Sequence, residues 1–167
     1  MRIIVDSREQ TPFSFDRWPD CEVTTGTLPT GDYSLSGLED KIAIERKSLN
    51  DLLGCLTGAD RDRFERELAR ARGLDCFAVV VESGFLELTA KQYRSSMNPH
   101  SACQSILAFQ VRYGIPFFFA GSRQAAEYVT YSLLSKFLRE AETRYKNILK
   151  NQINPPQEVE VRKAIHG

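Results

Sequence analysis

Short apolar runs separated by polar turns fill the first half of the chain, and longer helical periodicities fill the second. Residues 1–6 (Met-Arg-Ile-Ile-Val-Asp) and 21–25 (Cys-Glu-Val-Thr-Thr) are β-prone and predict strands. Two further β-prone runs, 32–36 and 41–47, flank the turn-like Gly37-Leu38-Glu39-Asp40 and predict a hairpin. Helices are expected over 48–56 and 60–72, a strand over 75–82, then a polar connector. A helix over 99–113, a strand over 116–120 and a long helix from 122 to about 148 complete the order. Phe117-Phe118-Phe119 reads as a buried core strand. Strands interleaved with helices in this way predict an α/β fold, a mixed central sheet flanked by helices.

At 167 residues and 42% hydrophobic content, one sizeable core and one domain are expected, spanning 1–150. Residues 151–167 read as a polar, flexible tail around Pro155-Pro156. The first residues lack an apolar signal region and no run is long enough to span a bilayer, so an intracellular protein is expected. Cys21, Cys55, Cys76 and Cys103 are widely spaced without a Cys-x-x-Cys, which argues for reduced thiols rather than a zinc site or disulfide framework. His100, beside Pro99, reads as a helix-start or surface residue, and His166 falls in the tail. A histidine-based nucleophile therefore has little basis. A phosphate-cradling Gly-x-x-x-x-Gly-Lys-Ser/Thr is absent, so no nucleotide cofactor is expected.

The candidate chemistry lies in the hairpin. In Lys41-Ile42-Ala43-Ile44-Glu45-Arg46-Lys47 the alternation sends Glu45 and Lys47 to one face, and pairing with 32–36 brings Asp32 toward Glu45 at the open end. Two converging carboxylates suit a hard, oxygen-seeking cation such as Mg²⁺ or Mn²⁺, which binds few protein carboxylates and keeps several waters. A lysine beside them can orient or deprotonate a water, and the metal supplies Lewis acidity. Taken alone, a carboxylate and a lysine two apart on a strand are usually a solvated face.

The neighbouring residues add a pattern. Gly31-Asp32, Glu45-Arg46-Lys47 and Asp51 together form Gly-Asp…Glu-Arg-Lys-x-x-x-Asp, and the chain opens with Val5-Asp6-Ser7-Arg8-Glu9. Phe77-Ala78-Val79-Val80-Val81-Glu82 and Phe109 to Pro116 follow in order. In these features, over roughly residues 1–140, the sequence resembles the XPF/Mus81-type structure-specific endonucleases. The resemblance implies a restriction-endonuclease-like fold and a metal-dependent DNA nuclease. It implies Asp32, Glu45 and Asp6 as metal ligands, Lys47 as the water-positioning base, Arg46 as the family's arginine and Asp51 as a supporting catalytic group. Capping of the following helix, or a salt bridge with Arg46 or Lys47, is the alternative for Asp51; a turn former is the alternative for Asp6.

Zero net charge sits awkwardly with DNA binding, but the charge is unevenly placed. Residues 1–51 hold ten acids against six bases, and 52–167 hold twelve against sixteen. The segment 60–72 puts Phe64, Leu68 and Ala71 on one stripe and Arg63, Arg66 and Arg70 on another. Arg63 and Arg66, with Arg8, are candidate DNA contacts; ion pairing along a solvated helix is the competing account. A second basic segment runs from Lys136 to Lys150.

Helix 99–113 and the long helix carry more apolar surface than one core-facing stripe requires. In the long helix the stripe is Ala126, Val129, Leu133 and Phe137, with Tyr128, Tyr131, Leu134 and Leu138 on other faces. With the resemblance, this predicts a homodimer through these two helices. Appended helix-hairpin-helix modules, present in many family members, are not found in the sequence, which leaves the preferred DNA shape open. The leading expectation is a Mg²⁺- or Mn²⁺-dependent endonuclease for flap, fork or junction DNA in repair or recombination. The alternatives are a Holliday-junction or duplex-cutting enzyme of the same chemistry and a non-catalytic DNA-binding or scaffold subunit.

Overall fold

The computed structural model describes residues 1–153. Its strands are β1 (Arg2–Asp6), β2 (Glu22–Gly26), β3 (Tyr33–Leu35), β4 (Ile42–Lys47), β5 (Cys76–Val81) and β6 (Phe117–Phe119). Its helices are α1 (Leu49–Gly54), α2 (Gly58–Ala71), α3 (Phe85–Thr89), α4 (Pro99–Tyr113) and α5 (Arg123–Ile153). They form one six-stranded sheet in the order β2-β1-β3-β4-β5-β6. Strands β1 with β3 and β3 with β4 pair antiparallel, while β1 with β2, β4 with β5, and β5 with β6 pair parallel. The expected mixed sheet flanked by helices is present.

Alternation along the central strands sorts side chains between two cores. Ala43, Phe77, Val79 and Val81 face a cluster built with α1, α2 and α4, including Leu52, Phe64, Leu68, Ile106 and Phe109. Ile42, Ile44, Ala78 and Val80 face the other side, where Phe13, Phe15, Tyr33, Ala126 and Leu134 close the second cluster. Strand β5 is buried on both faces because parallel neighbours flank it and helices cover each side.

Several expectations change. The Phe117-Phe118-Phe119 strand is the sheet edge, not a buried core strand, and Phe118 is exposed. Apolar content alone does not say which strand ends the sheet. The connector contains a helical turn, α3, where Glu87 accepts from the Gly84 N–H and Leu88 is buried. Five residues are too few to show a helical period. The buried stripe of α5 runs through Ala126, Thr130 and Leu134, with Val129, Leu133 and Phe137 half-buried beside it. α5 also extends to Ile153, past the boundary expected at 151; the remainder of the expected tail, and His166, lie outside the described residues.

The segment between β1 and β2 is a strap rather than an open loop. Phe13 and Phe15 plug the second core, with the Phe13 ring stacked on Tyr33 at 5.2 Å. Phe15 has φ 56°, a left-handed conformation unfavourable for an aromatic residue, and its N–H donates to the buried Glu127 carboxylate at 2.8 Å.

Among the described residues no helix is long and apolar enough to cross a membrane, and all four cysteines are free thiols.

Candidate active site

The β3/β4 hairpin forms as expected, with Tyr33 opposite Ile44. Asp32 sits at its open end, where its N–H donates to the Ile44 carbonyl at 2.8 Å and its carbonyl accepts from the Asp6 N–H at 2.8 Å. Gly31 makes this approach possible. It has φ +75°, and a Cβ there would stand 2.9 Å from the Ala43 Cβ and 3.2 Å from the Ile44 carbonyl oxygen.

Glu45 and Lys47 continue the Ala43 face of β4 and touch each other directly, the Lys47 ammonium on Glu45 Oε1. The ammonium also lies 5.4 Å from the centre of the Phe64 ring on α2. Glu45 is only 4% exposed; burial, followed by the nearby Asp32 charge, drives its carboxyl well above the usual range. Burial likewise raises Asp32 to about 6, against the hydrogen bond its Oδ2 accepts from the Arg46 main-chain N–H at 2.8 Å. Lys47 loses solvation, but the Glu45 charge outweighs that and holds it as an ammonium. In this contact Lys47 is a donor; service as a base requires Glu45 to take another partner.

Arg46 points to the other face of β4. Its guanidinium grips Glu9 through two bonds, of 2.9 and 3.0 Å, and lies 3.2 Å from Glu82. The opening motif and the Glu-Arg-Lys motif are thus tied together by Glu9 and Arg46. Burial pushes Glu9 up, but the bonds from Arg46 and the Thr11 N–H pull it net below the usual range. Burial disfavours the charge on Arg46, yet Glu9 and Glu82 leave it net raised.

Asp6 neighbours Asp32 through the main chain, but its carboxylate is engaged elsewhere. Its carboxylate accepts from the Arg8 side chain at 2.7 and 2.9 Å, the Arg8 N–H at 2.8 Å and the Leu28 N–H at 2.7 Å. Those bonds, the Arg8 side chain first, lower it to about 2. Among the described residues no group of three or more His, Cys, Asp or Glu side chains is placed to hold a metal ion. The expected trio of Asp32, Glu45 and Asp6 is therefore not assembled as such; Asp6 is already saturated in holding Arg8 and the residue 28 turn. Asp51 takes part in the cap of α1: Ser48 is the N-cap, its hydroxyl accepts from the Asp51 N–H at 3.2 Å and donates to the Asp51 carboxylate at 2.6 Å. This is the capping alternative rather than a pair with Arg46 or Lys47. Arg8 sits beside the site on its Asp6 bond. Arg63 and Arg66 are exposed on α2, and Arg63 pairs with Asp60 at 3.2 Å.

Glu9 and Glu82 stood in the quoted motifs without an assigned role, and the Glu9–Arg46 pair crosses 37 positions; Arg123 and Glu67 escaped the sequence reading as site components. The Glu67 charge raises Asp32 and Glu45 further. Its position three residues after the buried Phe64 places it on the same side of α2, which is the one signal that pointed to it.

A hard divalent cation fits Asp32 and Glu45. Among the described residues neither Asp32 Oδ1 nor Glu45 Oε2 accepts a hydrogen bond, and both carboxylates suffer from burial without a neutralising charge apart from Lys47. Asp6 lacks a spare oxygen for that purpose.

Similarity to known proteins follows the same segment. The ERCC4 domain family matches residues 5–133. No curated protein matches the sequence. Among solved structures, XPF from Aeropyrum pernix superposes with a TM-score of 0.66 at 24% identity, over 93% of this chain and 74% of that one. XPF from Aeropyrum pernix in complex with DNA gives a TM-score of 0.61 at 24% identity, over 83% of this chain and 66% of that one. These likenesses give the fold, that of an XPF nuclease domain and restriction-endonuclease-like. With its motifs at the mouth of one hairpin and the family match spanning most of its length, the chain belongs to the ERCC4-domain family, the XPF/Mus81 nucleases.

Proposed function

We propose that this chain is an active, divalent-metal-dependent DNA endonuclease that cuts branched DNA, such as flaps, forks or junctions, in repair or recombination. The observation that carries the reading is the convergence of Asp32, Glu45 and Lys47 at one spot, with carboxylate oxygens left free. A purely structural ion pair requires no second buried carboxylate beside it, whose ionisation costs free energy. The degenerate alternative, a scaffold subunit, has no reason to keep all three groups.

Asp32 and Glu45 would hold Mg²⁺ or Mn²⁺. The cation would supply Lewis acidity and neutralise the charge that develops on the phosphoryl oxygens. Lys47, on Glu45, orients water or a phosphate oxygen on the same face. The Arg46 main-chain N–H fixes the rotamer of Asp32, and Asp6 holds Arg8 at the rim. Arg8, Arg63 and Arg66 supply phosphate contacts around the acidic centre, and Asp51 supports it by fixing the start of α1 directly after Lys47.

The same reading includes a homodimer through 99–113 and 122–148, and a DNA-containing compartment of the cell. Support for the dimer is exposed apolar surface on these elements: Leu107 and Val111 on α4, and Tyr128, Tyr145, Ile148 and Leu149 on α5.

The test is cleavage of labelled flap, fork, four-way junction and linear duplex in Mg²⁺ or Mn²⁺ by the wild type and Asp32→Asn. Cutting of a branched substrate that the substitution lowers by about 10²-fold or more is expected. Preferential cutting of the linear duplex would overturn the branched-substrate assignment, and preference for the four-way junction would narrow it to junctions. Binding without cutting in any arm, or full activity of Asp32→Asn, would overturn the catalytic reading.

A further inference from the structure

Arg123 is the first residue of α5, where the positive end of the helix dipole disfavours a cation and no acid stands in the first turn to compensate. Its guanidinium reaches back across the sheet rim. Nη1 donates to Glu82 Oε1 at 2.6 Å, and Nη2 donates to the Thr11 and Pro12 carbonyls at 2.8 Å each. The same guanidinium lies 4.8 Å from the centre of the Phe13 ring. Glu82 is shared: the oxygen that meets Arg123 also lies 3.2 Å from Arg46, and the Glu82 N–H donates to the Lys47 carbonyl at 2.9 Å. Glu9, which closes on Arg46, accepts from the Thr11 N–H at 2.7 Å.

These contacts form a closed ring of Arg123, Glu82, Arg46, Glu9 and Thr11 around the end of β4. We infer that Arg123 is a positioning residue of the active centre: through Glu82 and the Thr11-Pro12 turn it locks the Arg46 guanidinium, and so the Arg46 main-chain N–H that orients the Asp32 carboxylate. The proposal rests on the nuclease reading for its catalytic consequence and on the ring alone for its structural one. Planarity is what makes arginine fit. One fork bonds a carboxylate with one nitrogen and two carbonyls with another, a division that a lysine ammonium at the end of a flexible stem makes less well. A misplacement of about 1 Å can slow such a reaction by about 10²-fold.

The test compares wild type, Arg123→Ala and Arg123→Lys in the full chain. Amide hydrogen exchange is read at Arg46, with Ile4 of the β1–β2 pair as internal reference, alongside kcat, KM and melting temperature. The expected result is roughly tenfold faster exchange at Arg46 relative to Ile4 in Arg123→Ala, a kcat about tenfold lower and a KM within about twofold, with Arg123→Lys between. Unchanged relative exchange at Arg46 overturns the proposal, as does a kcat loss no larger than the unfolded fraction accounts for. A wild type that cuts no DNA sinks the nuclease reading instead, and the exchange ratio then decides the positioning claim by itself.

Discussion

The acids of this site carry opposite pH signatures because their surroundings differ. Asp32 is held at about 6 in the fold, above its unfolded value, so its ionisation is resisted. The stability it contributes is present below the unfolded pKa and is lost as pH rises through about 6. Asp6 is held at about 2 by Arg8, so its contribution is present above the unfolded pKa and is lost as pH falls toward 2. Metal-free protein is therefore expected to lose stability between about pH 4 and 6 from Asp32, on the order of 1–3 kcal/mol. Asp32→Asn should raise the melting temperature above pH 6 and flatten that limb, whereas Asp6→Asn should lower it across neutral pH. Thermal melts from pH 3 to 8 on the three proteins decide this; an Asp32→Asn variant less stable than wild type at pH 8 contradicts the assignment. Added Mn²⁺ should raise the wild-type melting temperature and leave that of Asp32→Asn nearly unchanged.

Among the elements, the hairpin and α1 do most to build the centre. Gly31→Ala would force an L-residue to a φ of +75° and push its Cβ against Ala43, with an expected cost of about 2–4 kcal/mol and weakened metal binding. Denaturant melts check the stability and calorimetry checks the metal. A cost under about 0.5 kcal/mol would mean that the strand end relaxes and Gly31 is not required there. Ser48→Ala removes the hydroxyl that caps α1 and meets Asp51, and should cost about 1 kcal/mol. The hairpin, the Glu45/Lys47 face and the Phe64-Leu68-Ala71 stripe were legible because alternation and helical spacing are local properties. Helix α3 and the edge position of β6 were not: one is too short to carry a period, and the other depends on strand order.

For the molecule as a whole, the unspent apolar surface is the main unbalanced feature. Val111 on α4 is 86% exposed and Tyr128 on α5 58%, at positions where the opposite face of each helix is packed. Sedimentation of the full chain is expected to show a dimer at micromolar concentration, with Val111→Asp or Ile148→Asp shifting it toward monomer. A monomer at all concentrations would refute the homodimer. The basic residues from Lys136 to Lys150 ride on the same exposed half of α5.

The sequence by itself determined most of the strands and helices, the family, and the placement of Asp32, Glu45 and Lys47 at one end of one hairpin, because these rest on spacing within a few tens of residues. Only the tertiary structure decided that Asp6 spends its oxygens on Arg8 and Leu28, that Asp51 meets the Ser48 cap of a helix, and that Arg46 finds Glu9 and Glu82 on its face of β4. It also brought Arg123 onto Glu82 from 41 positions away. The physical reason is that hydrogen-bond saturation belongs to the partners that surround a group in space. Alternation says which face a side chain takes, whereas the folded neighbours decide whether its charge is left over for chemistry.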